Sequence, residues 1–181
     1  MEGRRTIAIL GGGQLGRMFL ENALRYNVHV IVLDPDPNSP CSQLADHFTV
    51  GDLNDRDTVL QFAKDADVVG IEIEHVSVEA LFELKQRGKQ VIPDPDVLRR
   101  IKDKGLQKEF YVKHGIPTAP FALVGGPSEI NEEHAHLLPA FLKTRSGGYD
   151  GKGVMPLNTL KDVDQAFDTA CVIEQRIEID L

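Results

Sequence analysis

A strand-like run, Thr6–Leu10, passes directly into Gly11-Gly12-Gly13-Gln14-Leu15-Gly16, after which Leu15, Met18, Phe19 and Ala23 recur at helical spacing. A G-x-G-x-x-G turn between a strand and a helix restricts the fold sharply, because the helix must pack back on its strand and the next strand then runs parallel to the first. The next apolar run, Val28–Leu33, ends at Asp34-Pro35, where proline stops the strand, and Asp36–Pro40 has the composition of a loop. The alternation continues with a strand at His47–Val50, a helix at Asp55–Ala63, a strand at Val68–Ile73, a helix at Val78–Gln86 and a strand at Gln90–Ile92. Strands alternating with helices predict an α/β fold, a Rossmann-like parallel sheet covered on both faces.

Pro93-Asp94-Pro95 closes that pattern, and Asp96–His114 reads as one long, charge-rich helical stretch with Leu98, Ile101, Phe110 and Val112 as its apolar members. After the proline-bearing stretch Gly115–Pro120 the pattern changes to strands at Phe121–Val124, Ala140–Lys143 and Gly153–Pro156, a helix at Lys161–Phe167 and a strand at Cys171–Ile177, which is an α+β module. The expected division is therefore 1–97, a connecting helix and linker at 98–120, and 121–181. Ile179-Asp180-Leu181 carries no cap, turn or polar tail, so the expectation is of a longer chain cut inside an element.

The 181 residues are 41% hydrophobic, enough for a buried core, and carry a formal charge of -8. That charge repels a nucleic-acid backbone, and no basic run interleaved with aromatics offsets it, so no nucleic-acid partner is expected. No apolar run approaches a membrane span and the amino terminus has no cleavable signal pattern, so the expected location is cytoplasmic, away from membranes. Cys41 and Cys171 are far apart and outside any C-x-x-C spacing, which predicts packed or surface thiols and no zinc site.

Four places carry chemistry. Glycines at 11–16 would let a phosphate approach the backbone at a helix N-terminus, and Asp34 stands where a dinucleotide-binding protein keeps its ribose-binding acid, which leaves an NAD- or nucleotide-binding regulatory domain open; a tight strand-to-helix turn also needs glycines where nothing binds. Glu72 and Glu74, at i and i+2 near the end of the fourth strand, would share one face and suit a polar ligand, the plain alternative being a solvated strand end. Lys143 ends a strand and leads into Thr144-Arg145-Ser146-Gly147-Gly148-Tyr149-Asp150-Gly151-Lys152-Gly153, a loop able to wrap phosphates with backbone N–H groups although it is no Walker loop. Lys102, Lys104 and Lys108 are expected on one helix, Lys104 and Lys108 sharing a face that is ordinarily solvated, and Glu174-Gln175-Arg176-Ile177 after Val172-Ile173 reads as a strand whose backbone could pair with an adenine edge, the plain alternative being simply a strand.

GGGQLGRM, DPDPNSPC, EIEHV, IPDP followed by KDKGLQK, HGIPTAPF, KTRSGGYDGKG and VIEQRI stand in the order in which the N(5)-carboxyaminoimidazole ribonucleotide synthetase family of the ATP-grasp superfamily has its signature segments, and the chain resembles that family over its whole length. The resemblance implies a Rossmann-like pre-ATP-grasp domain followed by the start of an ATP-grasp domain, its lid module. It implies carboxylation of 5-aminoimidazole ribonucleotide (AIR) with bicarbonate, driven by ATP with Mg2+, giving ADP and phosphate in purine synthesis. By position, Gly13, Gln14 and Leu15 would face AIR, and Glu72 and Glu74 would line the AIR and bicarbonate side. Tyr149 would lie against the imidazole and Asp150 near the reacting amine, with Asp150 and Glu74 as the catalytic pair. Lys104 and Lys143 would be the ATP-phosphate cations, and Gly148, Tyr149, Asp150, Gly151, Lys152, Gly153 and Val154 the phosphate-covering loop. Glu174 and Ile177 would be the ends of the adenine and ribose hinge. Family members continue for roughly as long again and supply their metal ligands there, so the chain alone is expected to be inactive; a homodimer is a further expectation. The related formate-using glycinamide ribonucleotide enzyme and biotin carboxylase are the alternatives within the superfamily, and Tyr149-Asp150 within GGYDGKG favours the AIR family, since biotin-dependent relatives typically have a more glycine-rich lid loop without that pair.

Overall fold

A computed structural model describes residues 3–148 and 151–178. Its first sheet is parallel and five-stranded, built from β1 (Arg5–Leu10), β2 (Val28–Asp34), β3 (His47–Val50), β4 (Val68–Ile71) and β5 (Gln90–Ile92) in the order β3-β2-β1-β4-β5. β1 runs in register with β2 from Arg5↔Val28 to Leu10↔Leu33 and with β4 from Ile7↔Val68 to Leu10↔Ile71. Helices α2 (Arg56–Phe62) and α3 (Val78–Gln86) are started by side-chain caps, Asp55 accepting from Thr58 N–H and Ser77 from Ala80 N–H. Leu10, Leu33, Val59, Val69, Leu81 and Leu84 form one core cluster. A second, of Ile9, Leu20, Val30, Val32 and Cys41, includes residues of α1 (Gln14–Ala23). The expected α/β architecture is present, and both cysteines are packed thiols.

The fourth strand ends two residues early. Beyond Ile71 its neighbour β1 has already turned into the glycine loop, so no ladder is left to join, and Glu72, Ile73 and Glu74 are bends. The single helix expected over Asp96–His114 is two, α4 (Pro95–Lys102) and α5 (Lys104–Lys113). Asp103 separates them: its backbone is extended, and its carboxylate accepts from the N–H groups of Gly105 at 2.8 Å and Leu106 at 3.1 Å, which starts a new helix instead of prolonging the old one. Lys102 therefore does not share a helix with Lys104 and Lys108.

The second sheet is antiparallel, with β6 (Phe121–Val124), β7 (Ala140–Thr144), β8 (Val154–Leu157) and β9 (Cys171–Gln175) in the order β6-β9-β7-β8. Val124, Leu137, Leu142, Leu157 and Ile173 form its core. The helix expected at Lys161–Phe167 is a 3-10 turn over Leu160–Gln165: Asp162 turns back to accept from Asn158 and Thr159 N–H at 2.9 Å, and Ala166 is already extended. Two more 3-10 turns, Pro127–Glu129 and Glu132–Leu137, were not anticipated. The contact pattern divides the chain into two units between Arg99 and Arg100. Among the described residues, no helix is long and apolar enough to cross a membrane.

Leu81 is fully buried in the first core. Leu81→Ala is expected to lower unfolding stability by about 2–5 kcal/mol, read from the urea midpoint of the near-ultraviolet circular dichroism signal.

Candidate functional site

The first unit gathers its polar groups at the carboxyl ends of the parallel strands, the edge where open sheets of this kind bind ligands. Gly11 has a positive φ of 103°, which turns the chain out of β1 into the three-glycine connection to α1. Glu72 lies across this turn: a Cβ on Gly13 would come within 2.5 Å of Glu72 Oε1, and one on Gly11 within 2.9 Å of Oε2. The glycines thus make room for a carboxylate. Beside them an apolar cleft of about 400 Å³ is lined by Ile9, Leu15, Phe19, Gly70, Ile92 and Glu72. A wider groove of about 750 Å³, lined by Thr6, His29 and His47, lies at the opposite, amino end of the strands.

Asp34 is turned inward. Its Oδ2 accepts from Gly12 N–H at 2.6 Å and its Oδ1 from Asp36 N–H at 2.8 Å, so the carboxylate braces the glycine loop against the Asp36–Pro40 loop. Cys41 packs under the same turn, its Sγ 3.6 Å from Gly13 O. Burial pushes its thiol up to about 11, the Glu72 and Asp34 carboxylates adding to the effect. It stays protonated and unreactive near neutral pH. Glu74 is exposed next to His75, 3.6 Å away, and because β4 has ended it does not pair with Glu72 on a strand face as expected. Gln14 and Leu15 open α1, with Leu15 largely exposed.

In the second unit α5, β7 and β9 bring charges together. Lys143 on β7 and Glu174 on β9 are diagonal neighbours, since Lys143 faces Val172 and Phe141 faces Glu174. Lys143 Nζ meets Glu174 Oε1 at 2.8 Å. Lys108, expected on a solvated face, is instead 9% exposed; its Nζ meets Glu174 Oε2 at 2.6 Å and donates to Thr118 Oγ1 at 2.6 Å. Lys104, one helical turn earlier, points to the glycine loop: a Cβ on Gly148 would lie 3.4 Å from Lys104 Nζ and 3.0 Å from Thr144 Oγ1. Gly151 and Gly153 have positive φ, and Thr144 N–H donates to Gly153 O at 2.8 Å, closing the base of the loop. Lys152 is exposed and Val154 begins β8. Tyr149 and Asp150 lie outside the described residues.

β9 is hydrogen-bonded to β6 on one side and β7 on the other, so the backbone of Cys171–Gln175 has no open edge, and Arg176 and Ile177 lie past the strand. Glu174 can contribute only its side chain. Ile177 is exposed.

Residues 4–102 match the family model of the ribonucleotide synthetase preATP-grasp domain. The chain belongs to the ribonucleotide synthetase preATP-grasp family. Residues 109–181 of this preATP-grasp protein match the ATP-grasp domain. It is 34% identical over 182 aligned positions to an N5-carboxyaminoimidazole ribonucleotide synthase from Staphylococcus haemolyticus, covering 97% of the chain and 48% of that protein. It is 40% identical over 155 positions to a phosphoribosylaminoimidazole carboxylase from Ogataea methanolica, covering 82% of the chain and 28% of that protein. The fold superposes with a TM-score of 0.84 and 35% identity on an N5-carboxyaminoimidazole synthase from Aspergillus clavatus in complex with ADP and 5-aminoimidazole ribonucleotide, over 97% of the chain and 47% of that structure. The chain thus spans half or less of the length of these relatives.

Sequence reasoning missed the clamp that fixes α5 in this ATP-grasp segment. Arg145 Nε donates to Asp103 Oδ1 at 2.9 Å and its NH2 to Oδ2 at 2.8 Å, while the same carboxylate caps the helix. Gly105 leaves room for the guanidinium: a Cβ there would come within 2.5 Å of Arg145 Nε and push the clamp aside. The signal was present as Asp-x-Gly at a helix start, but its partner lies 42 residues away.

Burial pushes the Asp103 carboxyl up, but the Arg145 guanidinium and the helix N–H groups outweigh it and hold the group below its ordinary value of 3.8. Glu174 is likewise held below 4.5, burial being outweighed by Lys108 and Lys143. Both depressed carboxyls stabilise the fold above their unfolded values, and that contribution is lost as acid carries the pH down through the folded ones. Acid titration of the urea midpoint is expected to fall below 4.5 and then 3.8, and Asp103→Asn is expected to flatten the lower part of that fall.

Proposed function

We propose that the chain takes part in ATP-dependent carboxylation of AIR by bicarbonate, yielding N(5)-carboxyaminoimidazole ribonucleotide, ADP and phosphate. The observation that carries this reading is Lys104 Nζ turned toward Gly148, with Lys143 pairing with Val154 where β7 and β8 meet, in a segment that matches the ATP-grasp domain. Two ammonium groups and a run of glycine N–H donors suit the oxygens of a nucleotide polyphosphate and offset part of its charge. Among the described residues no three His, Cys, Asp or Glu side chains converge as metal ligands. These residues do not by themselves make up a magnesium site.

In this reading ATP phosphorylates bicarbonate to carboxyphosphate, which delivers its carbon to the AIR amine. Lys104 and Lys143 hold the phosphates, Gly148 and Gly151–Val154 cover them, and the Glu174 side chain and Ile177 flank adenine and ribose. Gly13, Gln14 and Leu15 receive AIR, with Glu72 across the glycine turn and Glu74 on the bicarbonate side. Tyr149 and Asp150 are assigned by resemblance as AIR contacts, Asp150 serving with Glu74 as the proton-handling carboxylates at the amine. The assignment makes 1–97 the AIR-recognising domain, 98–120 the connection and 121–181 the nucleotide lid. A cytoplasmic homodimer belongs to the same reading, and a monomer mass by light scattering removes the dimer.

Isothermal titration of the chain with ADP, AIR and NADH tests the proposal. Binding of ADP and AIR without NADH is expected, and Lys143→Met is expected to weaken ADP by about tenfold, the loss of one charge-assisted hydrogen bond. AIR-stimulated phosphate release from ATP in bicarbonate would establish the reaction itself; NADH binding with no response to ADP would overturn it.

A further inference from the structure

Lys108 has no place in the reading above, yet among the described residues it is the only buried charged side chain. Lysine is buried to this degree only when paired. Here the ammonium meets Glu174 Oε2 and Thr118 Oγ1, each at 2.6 Å, with the Phe121 ring centroid 5.6 Å away. Glu174 Oε1 in turn meets Lys143 at 2.8 Å. Side-chain exposure rises along the chain of charges, from 11% at Lys108 through 18% at Glu174 to 27% at Lys143. The innermost member is a cation and the outermost is the lysine proposed to meet phosphate.

We propose that Lys108 is a positioning residue for nucleotide binding: by matching the Glu174 charge from inside, it leaves the Lys143 ammonium free to direct its remaining donors at a polyphosphate. The inference rests on the nucleotide reading of the site. An ammonium has three donors, of which Lys143 gives one to Glu174. With Lys108 present the three groups sum to one positive charge. Without it they sum to zero, and a half-buried carboxylate has Lys143 as its remaining cation, so the two are held together and the ligand loses its partner. Lys104, one turn away on the same helix, acts directly on the loop, while Lys108 acts through Glu174.

The test compares ADP and adenosine binding by calorimetry to the unaltered chain, Lys108→Met and the double variant Lys108→Met/Glu174→Gln, since the ratio of the two affinities isolates the phosphate contribution. Lys108→Met is expected to weaken ADP about tenfold and adenosine less than about twofold, consistent with loss of a charge-assisted contact. The double variant buries no unpaired carboxylate and is expected to bring the ADP-to-adenosine ratio back to within about threefold of the unaltered chain. If Lys108→Met does not fold, that recovered ratio is the deciding measurement. Equal losses for both ligands, no loss at all, or a double variant with a ratio as poor as that expected of Lys108→Met would each overturn the proposal. An unaltered chain that binds no ADP would remove the nucleotide reading itself, and this inference with it.

Discussion

A carboxylate that is half-withdrawn from water must be met by cations or it will not stay ionised. Two such carboxylates organise the second unit. Asp103 caps α5 and grips Arg145 with both oxygens, and Glu174 joins Lys108 from that helix to Lys143 on the sheet. The helix is therefore registered against the sheet at two points along its length. Those registrations carry Lys104 to the glycine loop, because Lys104 follows the clamped cap directly and its N–H donates to Arg145 O at 2.8 Å. A loop rich in glycine has little conformational preference of its own, so its placement has to come from neighbours that do.

The first unit solves a different problem with the same economy of groups. Its glycine turn brings a helix N-terminus close to the sheet edge, a geometry shared by folds that bind dinucleotides and by folds that bind other phosphorylated ligands. What separates the uses is where the nearby acids point. Asp34 faces inward onto Gly12 and Asp36, and Glu72 lies over Gly11 and Gly13, so the acid that lies over the glycine turn follows the fourth strand and not the second. The open apolar cleft beside Leu15 and Phe19 adds a surface that a planar ring can cover.

The strand and helix order of the first unit was legible because each element has an unbroken apolar period and each break has a glycine, a proline or a capping side chain. The lapses fall where neighbours decide. β4 stops when β1 leaves it, whatever the apolar character of Ile73. The helical stretch through Asp103 is broken because that side chain finds two helix N–H groups and an arginine 42 residues on, and short-range spacing has no access to the second. Lys108 looks like any lysine on an amphipathic helix until Glu174 is placed opposite it.

By itself the sequence determined the alternation that forces a parallel sheet, the glycine turn at its edge, and the change to an α+β module after Pro120, all of which are local in the chain. Only the tertiary structure decided that Asp34 braces a loop, that β9 has no free backbone edge, and that Lys108, Glu174 and Lys143 form one connected set of charges. The physical reason is common to all three. Hydrogen bonds and ion pairs reach about 3 Å, and which groups come within that reach depends on how distant segments pack.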